Sequence, residues 1–142
     1  MGMPTRIDLT IANHTNILQL LHPIIELYEQ ASRSSAHITV LEWDTIWRDL
    51  VNIGIYKRGA DVSEVGTTWI GSLISMNSLR GFTRAEIAQI GGEQAFLPTA
   101  WQTTSMVGDA RVLAIPFLSD VRVIFYWRDM LEKAGVDEAT AP

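Results

Sequence analysis

The chain has 142 residues, is 47% hydrophobic and carries a formal net charge of −5 with no cysteine. Such a length builds one domain with a sizeable core and leaves no room for two full ones. The composition excludes disulfides and thiolate metal sites; no apolar run approaches the ~20 residues that cross a bilayer, and Lys and Arg are scattered, so no basic face is offered to nucleic acid.

At the N-terminus, "MGMPTRIDLT" lacks the basic-then-apolar order of an export leader. This fits a cytoplasmic protein as well as an exported one numbered after leader removal. "RIDLTIA" (6–12) alternates Ile7, Leu9 and Ile11 on one face and predicts a first strand. Ile17, Leu21, Ile24 and Tyr28 follow at helical spacing, with Pro23 predicting either a kink or the start of the helix's main part. The polar "SRSSA" then leads to "HITVLEW" (37–43), a second strand. Asp44 stands at the N-cap position of a helix through "TIWRDLVNIGIYKRG", with Ile46, Leu50 and Ile53 inward and Gly59 as its stop behind Lys57 and Arg58.

"DVSEVG" (61–66) predicts a short third strand, and Thr67 or Thr68 the cap of a helix through "WIGSLISMNSL". "TRAEIAQIGG" has capping-box form, Thr83 preceding Glu86 by three residues, and stops at Gly91 and Gly92. A looser connection follows, with a short helix from Pro98. "RVLAIPFL" (111–118) and "VRVIFY" (121–126) read as strands around a Ser-Asp break, and "WRDMLEKAG" as a helix ending at Gly135. Strands alternating with helices predict an α/β fold, an open and mostly parallel sheet with helices on both faces.

Catalytic signatures are sparse. No phosphate-binding glycine loop or nucleophile elbow follows any strand. His14, His22 and His37 are too dispersed for a helical metal pair and are assigned solvated or capping roles. Glu42, Asp44, Asp61, Glu64 and Asp120 all fall near strand ends. Asp44 is explained as a cap, and Asp61 and Glu64 as flanks of an edge strand. Asp120 is a charge at the junction of two apolar runs and has no such account.

Three segments share one design of strand, polar-plus-aromatic turn and helix: "EWDTIW", "EVGTTWI" and "PFLSDVR". In an open α/β sheet the carboxyl ends of the strands line a common crevice. Hydroxyls of Thr67 and Thr68, carboxylates of Asp44 or Asp120 and rings of Trp43, Trp69 or Phe117 would meet there. That inventory suits a neutral, hydroxyl-rich ligand such as a sugar, whose OH groups carboxylates accept and whose C–H faces rings cover. Core packing is the competing explanation for Trp43 and Trp69.

Two of these stretches resemble a known family. "DVSEVGTTWIGSL" resembles the third strand and following helix, and "VLAIPFLSDVRVIFYWRDMLEKAG" the lobe-crossing segment, of the extracellular solute-binding proteins, family 1, of ABC importers. The resemblance runs from "RIDLTIA" to the C-terminus. It implies a periplasmic-binding-protein type II lobe in a two-lobed receptor that closes about a hinge, works outside the cytoplasm and hands its solute, in most characterised members a sugar, to a membrane permease. It implies ligand contacts from Thr67, Thr68 and Trp69, a sugar-hydroxyl partner in Asp120 and a hinge position for Arg122. Trp43 and Asp44 fall on the turn after the second strand. The family often has an aromatic residue where Leu118 stands, so a stacking ring is absent or supplied by Phe117.

Such receptors are longer. The expected organisation is therefore a ligand-binding lobe over 1–119, with a hinge strand and the first helix of a truncated second lobe over 120–142. Neither an enzymatic role nor a cofactor or metal is expected. The alternatives are a non-transporting lobe that self-associates through the exposed apolar edge "VRVIFYW", and a small hydrolase using Asp44 and Asp120.

Overall fold

The computed structural model describes residues 5–120 and 123–136. Three strands form one parallel sheet in the order β2-β1-β3: β1 is Arg6–Ala12, β2 Ser35–Leu41 and β3 Val62–Ser63. β1 pairs in register with β2 from Arg6↔Ser35 to Ala12↔Leu41, and with β3 at Leu9↔Val62 and Thr10↔Ser63. The α-helices are α1 (Ile17–Ser32), α2 (Ile46–Tyr56), α3 (Ile70–Ser75), α4 (Arg84–Gln89), the short α5 (Pro98–Trp101) and α6 (Arg128–Lys133). The chain is an α/β protein, as its alternating pattern predicts.

The core shows how the two faces are covered. Ile11 and Ala12 are consecutive on β1 and so face opposite sides of the sheet. Ile11 packs with Ile17 and Leu21 of α1 and with Ile38, whereas Ala12 packs with Ile46 and Leu50 of α2, with Leu41, Val65 and Trp69 against them. α1 and α2 therefore lie on opposite faces. The order β2-β1-β3 demands this: the first crossover leads one way from β1 and the second returns past it, and right-handed connections of opposite direction place their helices on opposite sides.

β3 is only two residues long, and its ladder is lengthened by side chains. Asp61 N–H donates to the Asp8 carbonyl at 2.7 Å and Glu64 N–H to the Thr10 carbonyl at 2.8 Å. In return the carboxylates of Asp61 and Glu64 accept the Asp8 and Ala12 N–H groups, each at 2.9 Å. The Thr10 hydroxyl, buried between the strands, donates to Ser63 Oγ at 2.8 Å. Edge flanking by Asp61 and Glu64 is thus a definite structural job.

Several boundaries differ from expectation. α1 runs through Pro23 from Ile17, one lost backbone donor being tolerable at an exposed position. Thr45, and not Asp44, occupies the N-cap of α2; its hydroxyl reaches Asp49 at 3.0 Å, and Asp44 is exposed. α2 stops at Lys57, whose left-handed backbone (φ 51°) returns its N–H to the Ile53 carbonyl before Gly59 is reached. Neither Thr67 nor Thr68 caps α3, because Thr67–Trp69 forms a 3-10 turn that runs directly into it. Residues 111–118 are not a strand. Val112 and Leu113 bond to Phe82 and Thr104, outside any ladder, and Pro116 has no N–H to give. The second expected strand falls partly outside the described residues; Val123, Ile124 and Phe125 are described, exposed and not in a strand. The capping box of Thr83 and Glu86 and the helix start at Pro98 are as expected.

Candidate functional site

In a sheet of order 2-1-3 the connections leave β1 and β3 towards opposite faces, and open α/β sheets of this kind have their crevice between the carboxyl ends of those two strands. α1 follows β1 on one face. The segment after β3 goes to the other, where Trp69 packs on the Ala12–Ile46–Leu50 cluster and meets Trp47 of α2 at 5.5 Å between ring centroids.

The side chains at that crevice form one connected network. Asn13 continues the β1 ladder by donating its N–H to the Leu41 carbonyl at 2.9 Å. Its side-chain Nδ2 donates to both Glu42 oxygens at 3.1 and 3.0 Å, and its carbonyl accepts the Trp43 indole N–H at 2.8 Å. One residue on, His14 Nε2 lies 2.7 Å from Glu64 Oε1, while the other Glu64 oxygen holds the fully buried Ala12 N–H. The Trp43 ring stands edge-on to the His14 ring, centroids 5.2 Å apart and planes at 80°. Residues from the ends of all three strands are thereby locked together. Glu64 is largely shielded, His14 is partly open and Trp43 remains 55% exposed.

Of the residues expected to meet a ligand, Trp43 belongs to this network. Thr67 and Thr68 are exposed on the turn that follows Glu64. Trp69 is half-buried against the core and Trp47, so packing accounts for its ring. Asp44 is exposed and makes no hydrogen bond within the network. Phe117 and Asp120 are exposed, and among the described residues no hydrogen bond or ring contact joins them to it. Arg122 lies outside the described residues.

Asn13 and His14 stand at the centre of this network and are not among the residues expected at the crevice. The signal was present in "IANHT": the rule that gathers residues after β2 and β3 at the crevice applies equally to those after β1.

Two carboxylates outside this network are held well below their ordinary range. The Arg80 guanidinium, with the Thr83 N–H and hydroxyl, holds Glu86 down to about 2, and the Arg111 side chain and N–H hold Asp109 at about 2. Both are exposed ion pairs that tie local turns, at the cap of α4 and at residues 109–111. Among the described residues no group of three or more His, Asp or Glu could hold a metal ion, and no helix is long and apolar enough to cross a membrane. Comparison with protein-family models and with curated proteins gave no match.

Proposed function

We propose that this chain is the ligand-binding lobe of a solute receptor of an ABC importer. It takes a neutral, hydroxyl-rich solute, a carbohydrate, at the carboxyl rim of its sheet and presents it to permease subunits outside the cytoplasm. One observation carries the reading: side chains from the ends of all three strands converge at the β1/β3 crevice, where open α/β sheets bind ligands. Trp43 offers a half-exposed ring to the C–H face of a sugar, and Thr67 and Thr68 offer hydroxyls from the adjoining turn. The resemblance of "DVSEVGTTWIGSL" and of the 112–135 segment to family 1 solute-binding proteins supports the importer setting. By that resemblance Asp120 bonds sugar hydroxyls, Phe117 stands in for the family's stacking ring and Arg122 lies at the hinge. No bond is made or broken in this function.

Titration with neutral mono-, di- and oligosaccharides, followed by tryptophan fluorescence and calorimetry, tests it. The expected result is a saturable emission change that Trp43→Ala removes. Silence across the panel would eliminate the carbohydrate assignment.

A second reading rests on Ile124 and Phe125, which are 92% and 90% exposed. Contiguous apolar side chains of this kind mark association surfaces, and self-association through 123–125 would make the chain an interaction module. Sedimentation velocity decides it, since a clean monomer at high concentration rejects that role.

A further inference from the structure

Trp47 is the second large ring on the coil that carries Trp43. Where β2 ends, the Glu42 carbonyl accepts the N–H groups of Thr45 at 3.1 Å and Ile46 at 2.8 Å. Residues 43–45 are therefore already a turn that runs into α2. The bond from Ile46 to Glu42 closes the same ring as a helical rung, so Trp43 and Trp47 stand one turn apart, and residues so spaced are neighbours on the surface. Ile46 and Leu50 are buried on the core side of α2, whereas Trp43 and Trp47 are 55% and 38% exposed.

Each ring is held by contacts of its own. The Trp43 indole N–H donates to the Asn13 carbonyl at 2.8 Å, and its ring meets the His14 ring at 5.2 Å between centroids. Trp47 leans on Trp69 at 5.5 Å with the planes at 41°, and Trp69 in turn packs on the Ala12–Ile46–Leu50 cluster. Gly66 leaves room for the Trp69 ring, since a Cβ there would come within 3.4 Å of two ring atoms. Two partly open indoles are thus braced side by side, one tied to the end of β1 and the other to the turn after β3. Braced rings lose little rotamer freedom when a ligand covers them.

We infer that Trp43 and Trp47 are two adjoining stacking subsites, and that the solute is an oligosaccharide with at least two contiguous sugar rings, one over each indole. This rests on the carbohydrate reading and narrows it. A lone pyranose covers one indole and leaves the other in water, whereas a disaccharide buries apolar C–H faces on both. Thr67 and Thr68 belong to the same 3-10 turn as Trp69 and supply hydroxyls on the turn that meets Trp47. Trp69 is a positioning residue, acting through Trp47.

The test is calorimetry on the whole chain with monosaccharide–disaccharide pairs of glucose, galactose, mannose and xylose. In the pair that responds, the disaccharide is expected to bind about tenfold more tightly than its monosaccharide, or better. Trp47→Ala should weaken the disaccharide about fivefold or more while leaving the monosaccharide, held at Trp43, within about twofold. Trp47→Phe keeps a flat ring against Trp69 and should restore most of the disaccharide affinity, which separates stacking from a loss of folding. A disaccharide no tighter than its monosaccharide, or equal weakening of both by Trp47→Ala, overturns the second subsite and leaves the receptor reading standing. Silence from all four pairs removes both. A dimer in sedimentation that Trp47→Ala dissociates would assign the ring to a protein contact and overturn the subsite as well.

Discussion

His14 Nε2 and Glu64 Oε1 stand 2.7 Å apart although fifty residues separate them in sequence. The contact exists because β1 and β3 are neighbours in the sheet while their sequels leave towards opposite faces. Glu64 is doubly engaged, its second oxygen holding the N–H of a fully buried Ala12. A single carboxylate thus serves both the sheet and the rim.

Glu64→Ala should therefore destabilise the fold by about 1–3 kcal/mol, the cost of leaving a buried N–H without an acceptor. Glu64→Gln, which retains an acceptor for that N–H, should cost clearly less. Urea denaturation of the two variants measures the difference, and equal losses would show that the Ala12 bond contributes nothing.

Core and surface apolar positions should respond very differently. Ile46 is 1% exposed between α2 and the sheet, and Ile46→Ala is expected to cost about 2–5 kcal/mol. Leu27, on the open side of α1, is 66% exposed, and Leu27→Ala should change stability by no more than about 0.5 kcal/mol. A Leu27 variant as damaging as the Ile46 one would mean that the outer face of α1 is covered in solution.

Gly54 lies within α2, where glycine ordinarily costs a helix about 1 kcal/mol relative to alanine. A Cβ there would sit 3.0 Å from the Ser78 Cβ, which explains the small residue. Gly54→Ala is expected to destabilise despite its better helix propensity, and Ser78→Gly in the same chain to recover part of the loss. A double-mutant cycle under denaturant gives the coupling, and additivity would reject the contact.

Acid should weaken the protein through Glu86 and Asp109. Both have folded values near 2, below the usual carboxylate range of about 4, so their contribution is complete above that range. It disappears as pH falls towards 2, when the folded state must also take up the protons. The Glu86→Gln, Asp109→Asn double variant should accordingly show a shallower decline of Tm between about pH 4.5 and 2 than the parent protein. Parallel declines would mean that the Arg80 and Arg111 pairs are not maintained in solution.

Much of the architecture was legible because it rests on local rules. Alternating Ile7, Leu9 and Ile11 specified β1, the Thr83–Glu86 spacing specified the start of α4, and Pro98 that of α5. Residues 111–118 carry equally apolar sequence and failed as a strand prediction, because a strand also needs a neighbour, and pairing is not written in the segment itself. Asp44 and Thr45 are both competent caps, and one residue of phase between β2 and α2 decided for Thr45. The site was half legible. Trp43 stood out by type and position, whereas His14 gains its meaning only from Glu64, a long-range neighbour that helix and strand periodicity do not reveal.

A two-residue strand has few rungs, yet β3 is where the rim carboxylate is mounted. Peeling of this outermost strand would carry Glu64 away from Ala12 and from the imidazole in the same movement. In a hydrogen–deuterium experiment the Ala12 amide should consequently become exchangeable in step with loss of the His14–Glu64 contact. The His14–Glu64 contact and the integrity of the sheet margin are then two readouts of a single local equilibrium.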